Sequence, residues 1–261
     1  MPSINQSIVQ TLDPARFVEQ SLGYKLDDWQ KKVVRFDGRQ LAMNCSRQSG
    51  KSTAAACKAV YTALLYPGSL ILIVSPSQRQ SGEMFRTVAK EMDKLPDQPK
   101  KLEDNKLSCT LFSGSRIVSL PSQESTVRGY ANPKLIIIDE ASRCTDSLYL
   151  AIRPMLATSK DSQLIVLSTP NGRAGFFFDI FEGGLEKNWE RITVTAYDCP
   201  RISNEFLEEE KETLGEYFWK QEYGVIFVEG QTAVFSYDDV IRAFRDDVTP
   251  LNLWGDEDAN D

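Results

Sequence analysis

The chain of 261 residues contains no histidine. Without an imidazole, Ser-His-Asp triads, Cys-His nucleophiles and the common zinc sites are excluded from this chain. Its five cysteines form no Cys-x-x-Cys pair and no regular framework, so a disulfide scaffold is not predicted either. We therefore expect reduced cysteines and an intracellular protein.

Long apolar runs are also missing. No apolar stretch approaches the ~18 residues needed to span a bilayer, and residues 1–20 lack the apolar region of a secretion signal. The sequence thus predicts a soluble, cytoplasmic protein with no membrane partner. The net charge of −7 argues against a surface that coats nucleic acid non-specifically, although segregated Lys and Arg side chains are compatible with DNA handling.

What the sequence does contain is an alternation of apolar runs and helix-like stretches. Strands are predicted at 70–74, 135–138, 164–167 and 191–195, and a β-hairpin at 107–112 and 116–120 follows a polar connection at 96–106. The runs at 70–74 and 135–138 are continuously apolar, which is typical of parallel strands buried on both faces. This pattern predicts an α/β fold with a mostly parallel, doubly wound sheet.

The most informative stretch is Cys45-Ser46-Arg47-Gln48-Ser49-Gly50-Lys51-Ser52, which opens a helix-like segment at 53–65. Seven of its eight positions fit the phosphate-binding pattern G-x-x-x-x-G-K-[ST], and Cys45 replaces the first glycine. Backbone N–H groups at a helix start attract anions. Gly50 allows close approach, Lys51 supplies positive charge, and Ser52 offers a hydroxyl to Mg²⁺. The predicted nucleotide-binding residues are Ser46, Arg47, Gln48, Ser49, Gly50, Lys51, Ser52 and Thr53.

Two acids end the apolar run at 136–138. They lie at the carboxyl edge of the predicted sheet, where open α/β folds bind ligands. Asp139 is predicted to hold Mg²⁺, and Glu140 to orient and deprotonate an attacking water. The alternative is a helix N-cap followed by acidic first-turn residues, but the preceding phosphate loop favours the catalytic interpretation.

Two polar segments leave alternatives open. Asp27 or Asp28 is expected to cap a helix with Trp29 and Gln30 in its first turn. In one interpretation Trp29 packs as an aromatic staple under a surface helix and Gln30 has no ligand. In the other, the Gln30 amide hydrogen-bonds to the donor–acceptor edge of adenine. The strand at 164–167 is followed by Ser168, Thr169 and Pro170. This segment is either an ordinary turn or a site at which the Ser and Thr hydroxyls contact the outer phosphate or its attacking water.

The order of these segments resembles the ATPase domain of tailed-bacteriophage terminase large subunits over residues 25–230. The segments are Trp29-Gln30, Ser46-Arg47-Gln48-Ser49-Gly50-Lys51-Ser52, Ile73-Val74-Ser75-Pro76-Ser77-Gln78-Arg79-Gln80, Arg128-Gly129, Ile137-Ile138-Asp139-Glu140-Ala141 and Leu167-Ser168-Thr169-Pro170-Asn171-Gly172. The resemblance implies a P-loop, RecA-like fold of the additional-strand, catalytic-glutamate class with a small helical lid. It implies ATP and Mg²⁺ as cofactors, an adenine contact at Gln30, the metal ligand Asp139, the base Glu140 and a coupling motif at Ser168, Thr169 and Pro170.

The resemblance also implies roles for two arginines and a set of partners. Arg47 would contact the nucleotide phosphates or a neighbouring acid. Arg128 would reach the next subunit's γ-phosphate, whereas its simpler interpretation is a loop residue paired with a surface acid. The implied partners are double-stranded DNA, identical subunits in a ring (a pentamer on the procapsid), a portal protein and a small terminase subunit, in the host cytoplasm.

The last third of the sequence predicts a lid. Acidic helices are expected at 203–214 and 216–223, with Ser203 as a cap, followed by a strand at 225–228. We therefore divide the chain into an ATPase core at 1–195 and a lid with an acidic tail at 196–261, and expect no nuclease activity from it.

Two other function classes share parts of this pattern. A superfamily-2 helicase or translocase is the main alternative, but it needs a second RecA-like lobe, and no second set of strands is predicted after residue 167. A GTPase-like switch needs an Asn-Lys-x-Asp segment that the sequence lacks.

Overall fold

The computed structural model describes residues 13–157, 161–183, 187–229 and 237–243. The residues up to Val228 belong to one compact unit, and the chain from Glu229 to Asp261 forms a second unit. In this second unit the structure describes Glu229 and a single helix at Tyr237–Ala243. The acidic residues at 255–261, which end the predicted tail, lie outside the described residues.

The first unit is built on an eight-stranded sheet with the order β3-β4-β5-β2-β6-β7-β1-β8. The strands are β1 (Gln40–Cys45), β2 (Leu70–Ser75), β3 (Lys101–Asp104), β4 (Ser108–Leu111), β5 (Arg116–Pro121), β6 (Leu135–Asp139), β7 (Gln163–Ser168) and β8 (Glu190–Val194). In this order, each pair of neighbouring strands from β5 through β2, β6, β7 and β1 to β8 is parallel. The pairs β3–β4 and β4–β5 are antiparallel. The predicted mostly parallel α/β sheet is confirmed.

Helices lie both between these strands and outside them along the chain. They are α1 (Pro14–Ser21), α2 (Asp28–Arg35), α3 (Lys51–Leu65), α4 (Gln78–Asp93), α5 (Glu124–Val127), α6 (Asp146–Ala157), α7 (Gly175–Phe178), α8 (Asn204–Glu222) and α9 (Tyr237–Ala243). No helix in the described part of the chain has the length and apolarity to cross a bilayer.

Local sequence explains where several helices begin. Asp13 caps α1 by accepting a hydrogen bond from the Ala15 N–H at 3.0 Å, and Pro14 takes the first helical position. The Ser203 hydroxyl caps α8 in the same way, accepting from the Phe206 N–H at 3.2 Å. Gly215, with φ 75° and ψ 161°, interrupts α8 and gives the two helical stretches that the sequence predicts.

Two sequence predictions are wrong. The connection at 96–106 is not wholly irregular, because it contains β3, which pairs with β4. Residues 225–228 do not form a strand. Val225 has φ 53°, outside the β region, and its carbonyl accepts a hydrogen bond from the Asn44 side chain at 2.8 Å instead of joining a sheet.

The central parallel strands form part of the buried core. All five residues of β6 are buried, as are five of the six residues of both β2 and β7. Because these strands are packed on both faces, the residues at their carboxyl ends are held in fixed positions. The division at residue 195 between core and lid stays a prediction.

Candidate active site

The phosphate-binding sequence forms a loop between β1 and α3. Its backbone is held from two sides: the Ser46 N–H donates to the Val194 carbonyl at 2.8 Å, and the Arg47 N–H donates to the Glu222 carbonyl at 2.9 Å. The turn needs left-handed backbone at Gln48 (φ 57°) and Gly50 (φ 92°). Gly50 then precedes the first turn of α3, whose N–H groups point away from the helix.

Cys45 shows why the first glycine of the pattern is dispensable here. It is the last residue of β1 and pairs with Val194, so its backbone is that of a strand and needs no glycine. Its side chain is fully buried, and this burial raises the pKa of the thiol to about 12. The thiol is therefore protonated and unreactive at neutral pH.

Lys51 joins three elements at the carboxyl edge of the sheet. Its side chain is buried, and Nζ donates a hydrogen bond to Thr169 Oγ1 at 3.2 Å. The same Nζ lies 3.5 Å from Glu140 Oε1. The residues after β1, β6 and β7 that the sequence singles out are thus brought together.

Asp139, the last residue of β6, is a buried acid. Its Oδ1 has no hydrogen-bond partner among the described residues. Burial, and then the neighbouring Glu140 carboxylate, raise the pKa of Asp139 to about 7, while the Lys51 charge opposes this shift. A cation bound next to Asp139 would therefore stabilise the ionised form of its carboxyl group.

Glu140 has a left-handed backbone, with φ 51°. Such a conformation is uncommon for a residue with a side chain and tends to occur at functional sites. Glu140 precedes a 3₁₀ turn at Ala141–Arg143, but its side chain makes no capping hydrogen bond there. The N-cap alternative for this acid therefore finds no support.

Ser142 and Ser168 form a pair of hydroxyl groups next to the Glu140 carboxylate. Ser142 Oγ lies 2.7 Å from Ser168 Oγ and donates to the Thr169 carbonyl at 2.8 Å. Ser168 Oγ lies 3.5 Å from Glu140 Oε2. Ser142 was not predicted; its position two residues after Glu140 in the following turn is the feature that identifies it. Pro170, also predicted here, is buried directly after Thr169.

Trp29 and Gln30, in the first turn of α2, divide between two environments. Trp29 belongs to the hydrophobic core, as the staple interpretation requires. The Gln30 side chain is buried next to the phosphate loop: its Oε1 accepts from the Asp27 N–H at 3.0 Å, and its Nε2 lies 2.9 Å from where a Cβ on Gly50 would be. Gln30 therefore presents mainly N–H donors toward the loop.

The two predicted arginines are exposed and paired within the chain. Arg47 lies 3.7 Å from Glu222 Oε2, so the neighbouring acid is its contact here. Arg128 ends α5 and pairs with Glu124 of the same helical turn. The structure brings neither arginine to Lys51. Ser52 and Thr53, also predicted to bind nucleotide, occupy the first turn of α3 and are half-buried.

Comparisons with known proteins agree with this architecture. The family described as terminase large subunit, T4likevirus-type, N-terminal, matches residues 42–241. The large terminase subunit of Thermus phage G20c is 26% identical over 268 residues, covering 89% of this chain and 55% of that protein. The chain thus spans about half the length of the curated relatives it matches.

Solved structures share the fold. The large terminase ATPase domain of Thermus phage P74-26 aligns with a TM-score of 0.69 at 23% identity, covering 83% of this chain and all of that domain. The large terminase of a thermophilic bacteriophage in complex with ADP aligns with a TM-score of 0.63 at 13% identity, covering 78% of this chain and 54% of that one. Because the family match extends over most of the described sheet and its site, this chain belongs to the terminase large subunit family of the T4-like type and contains its N-terminal domain.

Proposed function

We propose that this chain is a Mg²⁺-dependent ATPase that drives double-stranded DNA into a procapsid. The observation that carries the proposal is the position of Lys51 Nζ, between Thr169 and Glu140 and at the start of α3. A buried ammonium at a helix start can bind outer phosphates, and a carboxylate beside it can take a proton from water. The complexes of the thermophilic bacteriophage terminase with ADP and ATP-γ-S support nucleotide as the ligand.

Asp139 and Ser52 fit a magnesium ion. Asp139 Oδ1 is buried without a hydrogen-bond partner among the residues described, and its raised pKa reports an unfavourable buried charge. Ser52 follows Lys51 in the first turn of α3. Mg²⁺ bound by these two residues would neutralise charge that develops on the outer phosphates.

We assign phosphate binding, orientation of the base and coupling to residues of this chain. Lys51 binds the outer phosphate, which weakens its ion pair with Glu140 and frees that carboxylate for the attacking water. Ser168 lies beside the Glu140 carboxylate, and Ser142 contacts the Ser168 hydroxyl, so these two residues favour one orientation of the Glu140 side chain. Thr169 contacts Lys51 directly, so a change at the phosphate is passed to the end of β7. Pro170 follows this contact, in agreement with the proposed coupling role of the segment.

The wider assembly is part of the same proposal. Arg128 is exposed directly after α5, a location from which it can reach a neighbouring subunit once its pair with Glu124 opens. In a closed ring, each subunit would then complete the site of the next one. The portal protein, the small terminase subunit and the host cytoplasm follow from the proposed packaging role.

Steady-state ATP hydrolysis over a wide range of protein concentrations tests this proposal. Glu140→Gln should keep ATP binding and lower kcat by about 10²–10⁴-fold, because it removes the base. Arg128→Ala should lower kcat by about 10³-fold or more if the arginine acts on a neighbour's phosphate. Arg86→Ala is the matched control, since Arg86 forms a comparable exposed pair with Glu83 on α4.

The outcomes separate the parts of the proposal. Specific activity that climbs with concentration, together with recovery on mixing Glu140→Gln with Arg128→Ala, supports a shared site. Normal activity of Arg128→Ala at every concentration contradicts the shared site. Normal hydrolysis by Glu140→Gln contradicts the assignment of the catalytic centre.

A further inference from the structure

Arg201 bridges two segments that are far from it in sequence. It lies between β8 and α8, and its guanidinium donates to both carboxylate oxygens of Asp27, from Nη1 at 3.0 Å and from Nη2 at 2.7 Å. Nη2 also donates to the Ser49 carbonyl at 3.0 Å. One side chain therefore fastens the residue before α2 to the middle of the phosphate loop.

Both ends of this bridge lead to groups that face the proposed nucleotide. Asp27 directly precedes α2, and its N–H donates to the Gln30 side chain. Ser49 directly precedes Gly50, whose added Cβ would lie 2.9 Å from Gln30 Nε2 and 3.7 Å from Arg201 Nη2. Arg201, Gln30 and the loop thus form a closed ring of contacts around Gly50.

The geometry uses properties that only arginine provides. A planar guanidinium can bind a carboxylate through two parallel hydrogen bonds and keep an N–H for a carbonyl, whereas a lysine ammonium is a point charge. Exposed ion pairs contribute little to stability in general. Here the Asp27 side chain is only 15% exposed, and the third bond goes to the loop itself.

We propose that Arg201 is a positioning residue for nucleotide binding, holding the phosphate loop and the start of α2 in register. This inference rests on the proposed ATPase function. With the bridge in place, the Gln30 amide stays beside Gly50 and the loop keeps the conformation that receives phosphates. Sequence patterns do not reveal Arg201, since it stands in a short connection with no motif around it.

The chain provides a matched control. Arg35 binds Asp13 through two hydrogen bonds, at 2.9 and 2.8 Å, and its side chain is 48% exposed against 51% for Arg201. Asp13, like Asp27, is the residue at the N-cap of a helix. Removing either arginine breaks the same kind of pair, but only Arg201 touches the phosphate loop.

Steady-state kinetics of Arg201→Ala, Arg201→Lys and Arg35→Ala provide the first test. Arg201→Ala should raise the KM for ATP about tenfold, which corresponds to about 1.4 kcal/mol, and change kcat less. It should also reduce the preference for ATP over GTP, because Gln30 is no longer held. Arg201→Lys should recover only part of the loss, and Arg35→Ala should keep the parent's KM. An unchanged KM in Arg201→Ala, or an equal rise in Arg35→Ala, overturns the proposal.

A double-mutant cycle with Asp27→Asn distinguishes positioning from direct contact. If Arg201 acts through Asp27, the double variant should bind ATP about as weakly as Arg201→Ala alone, because the two residues act as one unit. Fully additive losses would mean that Arg201 contacts the nucleotide itself, and would overturn a positioning role.

Hydrogen exchange in the nucleotide-free protein separates this inference from the proposed function. Arg201→Ala should speed amide exchange in the phosphate loop and at the start of α2, and Arg35→Ala should not change it there. If the parent neither binds nor hydrolyses ATP, the proposed function fails, while faster loop exchange in Arg201→Ala alone still supports the positioning role. Unchanged loop exchange overturns that role whatever the parent does with ATP.

Discussion

Replacement of Gly50 by alanine probes the phosphate loop at its most constrained point. Gly50 has φ 92°, a conformation that an L side chain rarely adopts. An added Cβ would lie 2.9 Å from Gln30 Nε2, which is closer than ordinary van der Waals contact. The substitution therefore combines backbone strain with a collision against a buried amide.

The two costs can be estimated separately. Left-handed backbone costs an alanine about 1–2 kcal/mol. To make room, the Gln30 amide has to shift and weaken the bond that it accepts from the Asp27 N–H at 3.0 Å, at a cost of about 1 kcal/mol. We expect Gly50→Ala to lower the free energy of unfolding by about 2–3 kcal/mol in total, and to weaken ATP binding.

Gly68→Ala supplies the matched control for strain alone. Gly68 has φ 74°, and nothing lies within 4 Å of its added Cβ. It should cost only about 1–2 kcal/mol and leave ATP binding unchanged. Urea unfolding followed by circular dichroism gives the free energies, and titration calorimetry gives the affinities.

The collision has its own test in a Gln30→Ala background. There the methyl group added at position 50 meets no amide, so Gly50→Ala should cost about 1 kcal/mol less than it does in the parent. If Gly50→Ala costs no more than Gly68→Ala, or the same in both backgrounds, the close contact with Gln30 is refuted. Parent-like ATP affinity in Gly50→Ala would refute the assignment of the loop as the phosphate site.

Two further predictions concern the acid pair and the aromatic packing. Because the folded-state pKa of Asp139 is raised from 3.8 to about 7, its contribution to stability is complete below about pH 4 and is lost as pH rises through 7. In EDTA the free energy of unfolding should therefore fall by up to about 4 kcal/mol as the pH rises from about 4 to 7. Asp139→Asn should lack this fall, because its side chain does not ionise. If the parent loses no more stability over this pH range than Asp139→Asn does, the prediction is contradicted. Phe227 is buried with ring centroids 5.3 Å from Phe178 and 5.9 Å from Phe177, so Phe227→Ala should cost about 3–5 kcal/mol in urea unfolding. The half-exposed Phe218 is its control, and equal losses in the two variants would contradict this packing.

Much of the fold follows from periodicity alone. Continuous apolar runs at β2 and β6 can be stable only where both faces of a strand are covered, so a parallel sheet with helical connections is their simplest solution. The helix starts at Asp13 and Ser203 are equally local, because a cap depends on residues two or three positions away. β3 escaped prediction for the opposite reason: its polar sequence is ordered only by pairing with β4.

The segment after α8 adopts a conformation that its local sequence does not favour. Val225-Ile226-Phe227-Val228 is rich in β-branched and aromatic residues, which favour strands. In the structure, the Asn44 side chain donates a hydrogen bond to the Val225 carbonyl. Phe227 packs against the phenylalanines of α7 and of the turn after it. Contacts from residues far away in sequence thus override the local preference.

The sequence by itself determined the chemical composition of the site and its order along the chain: the loop at 45–52, the acids at 139 and 140, and the hydroxyls at 168 and 169. These features are local because each belongs to one strand end or one helix start. Only the tertiary structure decided which side chains meet. It set Lys51 between Glu140 and Thr169, added Ser142, turned the Gln30 carbonyl toward Asp27, and fastened the loop through Arg201. These contacts depend on the strand order and on side-chain packing, which no short motif encodes.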